Sequence, residues 1–472
     1  MLKVILSVFM AIFFTTCLLM IFYWRDTQLE PNELDLIIYL ILLPLALSLI
    51  FLTPYWVWKW FKQRQEKQQI NQAIAQSLQD QPVQDTARYP CEWFELNMYT
   101  TAVRCALGEN EQIISSIQAF SGPELDSQLL DDRSNPILSY RIKALDALVE
   151  QGDQTFELNP VQQRLRILIE QQLQQYTDVL TVIADHLKHS TLFYDHPLAY
   201  EYRVHPAWFH PEAAIDDEEI TLTEPVMRLE KINVHIILSE DFQHLWDESS
   251  TTSDIEQYLS ALGILPQLMN CQYHYFSLSS HYANWLQCLT EVNKKVAEVS
   301  LFIVTDSEIS QQLMTEKYWS AQQYTPAEFV ASCLLANKSL QIENLEPTQK
   351  ILVVTKANDL MQNLAHWKLL DLEQYKHNQP FVSILDDPMD TQVVRKLQQY
   401  FADSPIESEH FLYGKSCLGH CQNLSEIFCF MLAMHMQPSL QRMVFSIAQP
   451  MTQIFMSLSH IDEMSQHTDD KI

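Results

Sequence analysis

Six glycines in 472 residues (Gly108, Gly122, Gly152, Gly263, Gly414 and Gly419) set the tightest limit on what this chain can become. Average usage is about 7%. Phosphate loops, nucleophile elbows and oxyanion turns use glycine to reach positive φ or to bring backbone against a ligand. The sequence contains no Gly-x-Gly-x-x-Gly, Walker A or Gly-x-Ser-x-Gly pattern. This weighs against nucleotide enzymes and α/β-hydrolases alike.

Charge narrows the field further. The chain carries 59 acidic against 30 basic residues, a formal charge of −29. Clustered Lys and Arg are what nucleic acid requires, so nucleic-acid binding is set aside. Hydrophobic residues make up 47%, enough for a packed body. Nine scattered cysteines do not form the pattern of a disulfide framework and read as reduced thiols.

Val4 to Trp24 and Leu36 to Trp58 are runs of 21 and 23 residues without a charge. Each exceeds the ~20 residues a helix needs to cross ~30 Å of hydrocarbon. Tyr23, Trp24, Tyr55, Trp56, Trp58 and Trp60 close the runs as aromatic belts do, and Lys59, Lys62, Arg64 and Lys67 follow the second. The positive-inside rule then predicts a multi-pass inner-membrane protein with both termini in the cytoplasm and lipid contact through residues 4–24 and 36–58.

The expected fold class is α/β: two N-terminal transmembrane helices followed by a cytoplasmic α/β body. Residues 1–62 form the hairpin, 63–88 a Gln-rich linker, 89–228 the first part of the body, 229–456 its second half and 457–472 a polar tail. Glu92 to Ala106 alternates like a strand. Asn159-Pro160 starts a helix whose apolar face runs from Leu165 to Leu187, up to seven turns. Apolar runs Val234–Leu238, Val299–Val304, Ile351–Thr355 and Phe381–Leu385 predict buried strands. Helices are predicted over Asp254–Leu262, His281–Ala297, Pro326–Asn337, Thr391–Phe401 and Asn423–His435, so the sheet is mixed or parallel.

Candidate chemistry is sparse. His196, His205 and His210 sit among prolines before Asp216-Asp217-Glu218-Glu219, which reads as a surface connection rather than a metal site. Cys417, His420 and Cys421, with Cys429 and His435 following, have ligand types suited to zinc. No second close Cys pair exists, and buried thiols are the preferred reading. A Cys/His nucleophilic pair could be drawn from Cys271 with His274 or His281, or from Cys333 with His420. Ser277, Ser279 and Ser280 read as helix caps. No catalytic, cofactor or metal residues are assigned.

Three segments together resemble the thiolase and β-ketoacyl-synthase family. Ser277 to Ala297 leading into Val299-Ser-Leu-Phe-Ile-Val-Thr-Asp-Ser-Glu308 is similar to the segment from the nucleophile helix to the next core strand. Tyr324-Thr-Pro326-Ala-Glu328-Phe-Val-Ala331-Ser-Cys-Leu-Leu335 is similar to its Pro-Gly-Glu-Gly-Ala-Ala turn and strand, which implies strand where periodicity gives helix. Lys415-Ser-Cys-Leu-Gly419-His420 is similar to its Lys…Gly-His element. The resemblance implies a thiolase-like second half in which only Lys415 and His420 carry over. The nucleophile position falls near Ser279 or Ser280, where no cysteine occurs, and the glycine-rich C-terminal motif is missing.

The hairpin, acidic body and worn synthase-like half also resemble adaptors that deliver lipase effectors in bacterial type VI secretion. The expected function is therefore a non-enzymatic, membrane-anchored adaptor or scaffold whose partner is an effector or secretion component. The alternative is a membrane-bound acyl-transfer or thioester enzyme using a Cys or Ser with His420. A zinc protein using Cys417, His420 and Cys421 is the third reading.

Overall fold

The computed structural model describes residues 92–131, 133–151, 159–195, 226–277, 281–318, 324–355, 359–419, 421, 423–447 and 451–458, with Phe22, Arg25 and Asp26. The runs 4–24 (apart from Phe22) and 36–58, the linker 63–88, the His/Pro segment 196–225, Ser279, Ser280 and His420 lie outside the described residues. The expected multi-pass inner-membrane placement is overturned: among the described residues no helix is long and apolar enough to cross a membrane. Hydropathy located both spans in residues 4–58 alone. The rest of the described chain is built from short helices and a sheet, neither of which supplies ~20 consecutive apolar helical residues.

The body is mixed α/β around one large sheet. Its strands are β1 (Glu92–Cys105), β2 (Gly108–Glu109), β5 (Lys231–Ser239), β6 (Met269–Phe276), β7 (Glu298–Ser307), β8 (Glu328–Asn337), β9 (Gln349–Thr355), β10 (Val382–Ile384), β11 (Phe411–Leu412), β12 (Arg442–Ser446) and β13 (Thr452–Leu458). Two further strands, β3 (Glu124–Leu130) and β4 (Pro136–Ser139), pair with each other. The large sheet runs β11-β10-β12-β13-β9-β1-β8-β7-β5-β6, with β2 beside β1. Strands β5, β6 and β7 are mutually parallel, as are β10, β11 and β12. Antiparallel pairings through β13, β9, β1 and β8 join the two parallel groups.

The helices are α1 (Glu111–Gln118), α2 (Ala144–Gln151), α3 (Pro160–Gln175), α4 (Thr177–Ser190), α5 (Glu248–Ala261), α6 (His281–Lys294), α7 (Gln311–Tyr318), α8 (Leu360–His366), α9 (Thr391–Phe401) and α10 (Ser425–Ala433). Asn159 caps α3 by accepting Val161 N–H at 3.1 Å, with Pro160 at the first helical position. The single long helix expected here is two. The break falls at Tyr176 (φ −93, ψ 7), whose hydroxyl donates to Ser332 O on β8 at 3.0 Å. That tertiary bond outweighs the continuous helical period.

The helix expected over Pro326–Asn337 is strand β8, as the family resemblance implied. All ten of its residues are buried. Phe329, Ala331, Cys333 and Leu335 pack into one core layer with α6 and α10. Val330, Leu334 and Ala336 face the opposite layer with α3, α4 and α5. A strand buried on both faces reads as continuous apolar sequence, and periodicity alone cannot separate it from a helix. In β1 the register shifts between Met98 and Thr100. Such a bulge re-aims side chains, and Leu96 and Met98 enter the first layer while Tyr99 and Ala102 enter the second. A third apolar layer packs α8 and α9 on β10, β12 and β13.

Candidate functional site

Lys415 lies in the 3-10 turn Gly414–Cys417, Glu426 in the first turn of α10, and His281 at the first position of α6. The fold brings all three together. Lys415 Nζ contacts Glu426 Oε1, and His281 Nε2 contacts Glu426 Oε2. Ser425 Oγ donates to Glu426 Oε2 at 3.2 Å. The second ring nitrogen of His281 lies 3.1 Å from Ser277 O. Both nitrogens of that ring therefore lie within hydrogen-bond reach of an oxygen. Burial alone would raise the Glu426 carboxyl; the His281 and Lys415 contacts outweigh it and hold the group below the ordinary glutamate range.

Asp386 completes the cluster. It accepts from Ile447 N–H at 2.9 Å and Ser446 Oγ at 3.4 Å. Burial raises its carboxyl, against a lowering influence from those bonds and from Lys415. Tyr282, the residue after His281, is bonded to Thr452 Oγ1, and burial raises its hydroxyl well above the ordinary tyrosine range. The cluster thus places a lysine and a histidine around one shared carboxylate, with a second carboxyl nearby. It can hold and orient protons and charge.

The turn carrying Lys415 is fixed by glycine. Gly419 has φ +51, and a Cβ there would sit 2.3 Å from Thr325 O. Only glycine permits that approach. Gly414 is equally confined, because its Cβ would meet Cys429 Sγ at 2.8 Å. On either side, Cys417 Sγ donates to Gly414 O at 2.9 Å and Cys421 Sγ to Ala327 O at 3.0 Å. The three segments that carry the synthase resemblance therefore converge: His281 and Glu426 join the first to the third, and Gly419 and Cys421 join the third to the second.

The cysteines expected as possible nucleophiles are placed as follows. Cys333 is fully buried and its thiol is pushed up by desolvation. Cys271 and His274 sit three apart on β6, hence on opposite faces of the sheet. Burial raises Cys271, while His274 stacks on His235, its Nε2 3.0 Å from His235 Nδ1. A contact with Cys105, then burial, pushes Cys417 up, and burial takes Cys429 to about 12. Thiols of this kind are poor nucleophiles at neutral pH. Among the described residues no group of three His, Cys, Asp or Glu is placed to hold a metal.

A second buried ionic network was not anticipated. Glu328, wholly buried at the start of β8, accepts Arg164 Nε at 2.7 Å and Nη2 at 2.6 Å. It also accepts Ile142 N–H at 2.6 Å and Ser307 Oγ at 3.2 Å. Arg164 Nη1 reaches Asp146 at 2.5 Å, which Arg141 shares at 3.1 Å before closing on Asp126 at 2.6 Å. A cavity of about 750 Å³ borders Arg141, Asp146 and Arg164. The signal was available: Arg164 interrupts the apolar face of α3, and Glu328 is a lone charge before an apolar run.

No protein-family model and no curated protein matches the chain. Among solved structures it is similar to the ketosynthase from module 6 of the bacillaene synthase of Bacillus subtilis 168, at 9% identity and a TM-score of 0.41. That match covers 77% of this chain and 71% of the other. It is also similar to the ishigamide ketosynthase/chain length factor, at 8% identity and TM-score 0.38, covering 77% and 98%. The curacin-pathway HMG synthase in complex with holo donor-ACP follows at 10% identity and TM-score 0.29, covering 51% and 66%. Likenesses this distant carry no argument about chemistry.

Proposed function

We propose that this chain is a non-enzymatic adaptor or scaffold that holds a protein partner. The observation that carries the reading is the state of the Lys415–Glu426–His281 cluster. Both Glu426 oxygens are engaged, one by the Lys415 ammonium and the other by the His281 ring, and the nearby thiols are buried and raised. A nucleophilic enzyme needs a base free to accept a proton and a nucleophile within its reach. Here the polar groups neutralise one another.

An interaction surface is available. β6 ends the large sheet and pairs with β5 alone among the described strands. An edge strand of eight residues is a natural place for a second chain to add. The −29 charge suits a basic partner. A type VI effector or secretion component is the partner class suggested by the acidic body and the synthase-like segments.

The test is crosslinking of the purified full chain to its partner, read by mass spectrometry, run beside a thiol- or serine-directed activity probe. The proposal expects one specific partner crosslinked near β6, through Lys231, Lys294 or Lys295, and no probe labelling. Labelling of a cysteine or serine that disappears in Glu426→Gln would contradict it. That result would favour the acyl-transfer alternative, which draws its support from the convergence of Lys415, His281 and Asp386 in one cluster.

A further inference from the structure

Arg442, the first residue of β12, is 1% exposed. Its Nη1 donates to Met434 O at 2.6 Å and Met436 O at 3.3 Å, carbonyls at the C-terminal end of α10. Those carbonyls supply the equivalent of about half a negative charge. They face only one of the three nitrogens. Nε and Nη2 have no hydrogen-bond partner among the described residues.

Gln349 Nε2 donates to the same Met434 O at 3.0 Å, which brings its side chain alongside the guanidinium, and its Oε1 is likewise unpartnered. His435 Nε2 is unpartnered too. Burial and then the Arg442 charge hold that ring down at about 4. Three neighbouring polar side chains thus converge with unmet hydrogen-bonding capacity. Buried charges are ordinarily paired, and buried polar atoms ordinarily bonded.

The molecule itself shows what the Nε/Nη2 fork is shaped for. In Arg164 the same two nitrogens grip both oxygens of the Glu328 carboxylate, at 2.7 and 2.6 Å. Two parallel N–H groups match a two-oxygen anion in a way a lone halide does not. We propose that the Nε/Nη2 fork of Arg442 is a buried receptor for a small oxyanion, a carboxylate or a phosphate. The ligand is small because both nitrogens of the fork are buried. Met436, whose carbonyl bonds Nη1, leads into a turn whose Gln437, Pro438 and Ser439 are exposed.

The test uses the purified full chain. Its Tm is followed through titrations of sodium phosphate, sodium acetate and sodium chloride at matched ionic strength. A saturating rise of about 2 °C or more is expected with phosphate or acetate and not with chloride. Acetate alone would mark a carboxylate receptor, and phosphate alone a phosphate receptor. The rise should vanish in Arg442→Met and in Arg442→Lys, which keeps the charge but loses the fork. Equal behaviour in all three salts, or a rise that survives Arg442→Met, would overturn the proposal. If neither variant folds, amide exchange across 435–442 in the unsubstituted chain decides: slowing by the oxyanion supports the receptor, and no change counts against it.

Discussion

Arg164 and Arg442 are buried to the same degree, 4% and 1% exposed, yet their surroundings differ completely. Arg164 sits where α3 meets β8 and has a carboxylate on its fork, a second carboxylate on Nη1, and the Ile142 carbonyl on Nη2 at 3.2 Å. Arg442 has two carbonyls on one nitrogen and no carboxylate. Burial lowers Arg442 to about 10, whereas the Glu328 and Asp146 contacts overcome burial and raise Arg164. The difference separates two uses of a buried charge. The Arg164 network is closed and ties α2 and α3 to the sheet. Arg442 and the Lys415 cluster belong to the C-terminal segment, where charges are either left partly unmet or gathered around one shared carboxylate.

The largest expected effect comes from opening the closed network. Arg164→Met leaves Glu328 buried without its cation, a loss of about 3–5 kcal/mol in a denaturant titration. Glu426→Gln is expected to cost less, about 1–3 kcal/mol, since Lys415 and His281 lose a charged acceptor while the Gln amide still offers one oxygen. Its signature lies in pH. The folded-state carboxyl is lowered, so its contribution is complete above the ordinary glutamate range and is lost as pH falls through the folded value. Glu426→Gln should therefore remove part of the acid-induced loss of stability. An unchanged acid limb would mean the cluster is not coupled to folding.

The smallest effect concerns His435, held at about 4 against an ordinary 6.5. For a base with a depressed folded value, the unfolded chain binds the proton first. Stability therefore falls as pH drops below 6.5, by at most about 1.4 kcal/mol per pH unit, and levels off near 4. His435→Phe should flatten that window in Tm-against-pH curves. Arg442→Met should shift the flattening upward in pH, because it removes one of the two causes of the depression.

How much of this was legible in the sequence depends on the kind of signal. α9 is found where its pattern placed it, Thr391–Phe401, and the buried strands β5, β7 and β9 surround their predicted apolar runs. β6 was missed because Met-Asn-Cys-Gln-Tyr-His-Tyr-Phe has neither the apolar density of a central strand nor clean alternation. β12 and β13 were missed because Met and Phe in irregular order suggest a surface rather than a ladder. At the candidate site, Lys415 was singled out through its Gly-His neighbourhood and His281 only as a possible partner of Cys271, while Glu426 was not singled out. Glu426 is the one charge in Ser425–Ala433 and immediately precedes the apolar run Ile427–Ala433, just as Arg442 and Glu328 are isolated charges beside apolar runs. A solitary ionisable residue in a segment bound for the core implies a buried partner. Sequence gives no distance from which to name that partner, since His281 and Glu426 are 145 positions apart.

The most direct measurement is side-by-side urea unfolding of Arg164→Met and Arg442→Met in chloride buffer free of phosphate and carboxylates. The account predicts a loss of about 3–5 kcal/mol for Arg164→Met and a change within about 1 kcal/mol, of either sign, for Arg442→Met. In the second variant the removed charge had no counter-ion to strand, and Gln349 still holds Met434 O. Equal large losses in both would contradict it, because Arg442 would then have to be held by interactions as strong as those around Arg164.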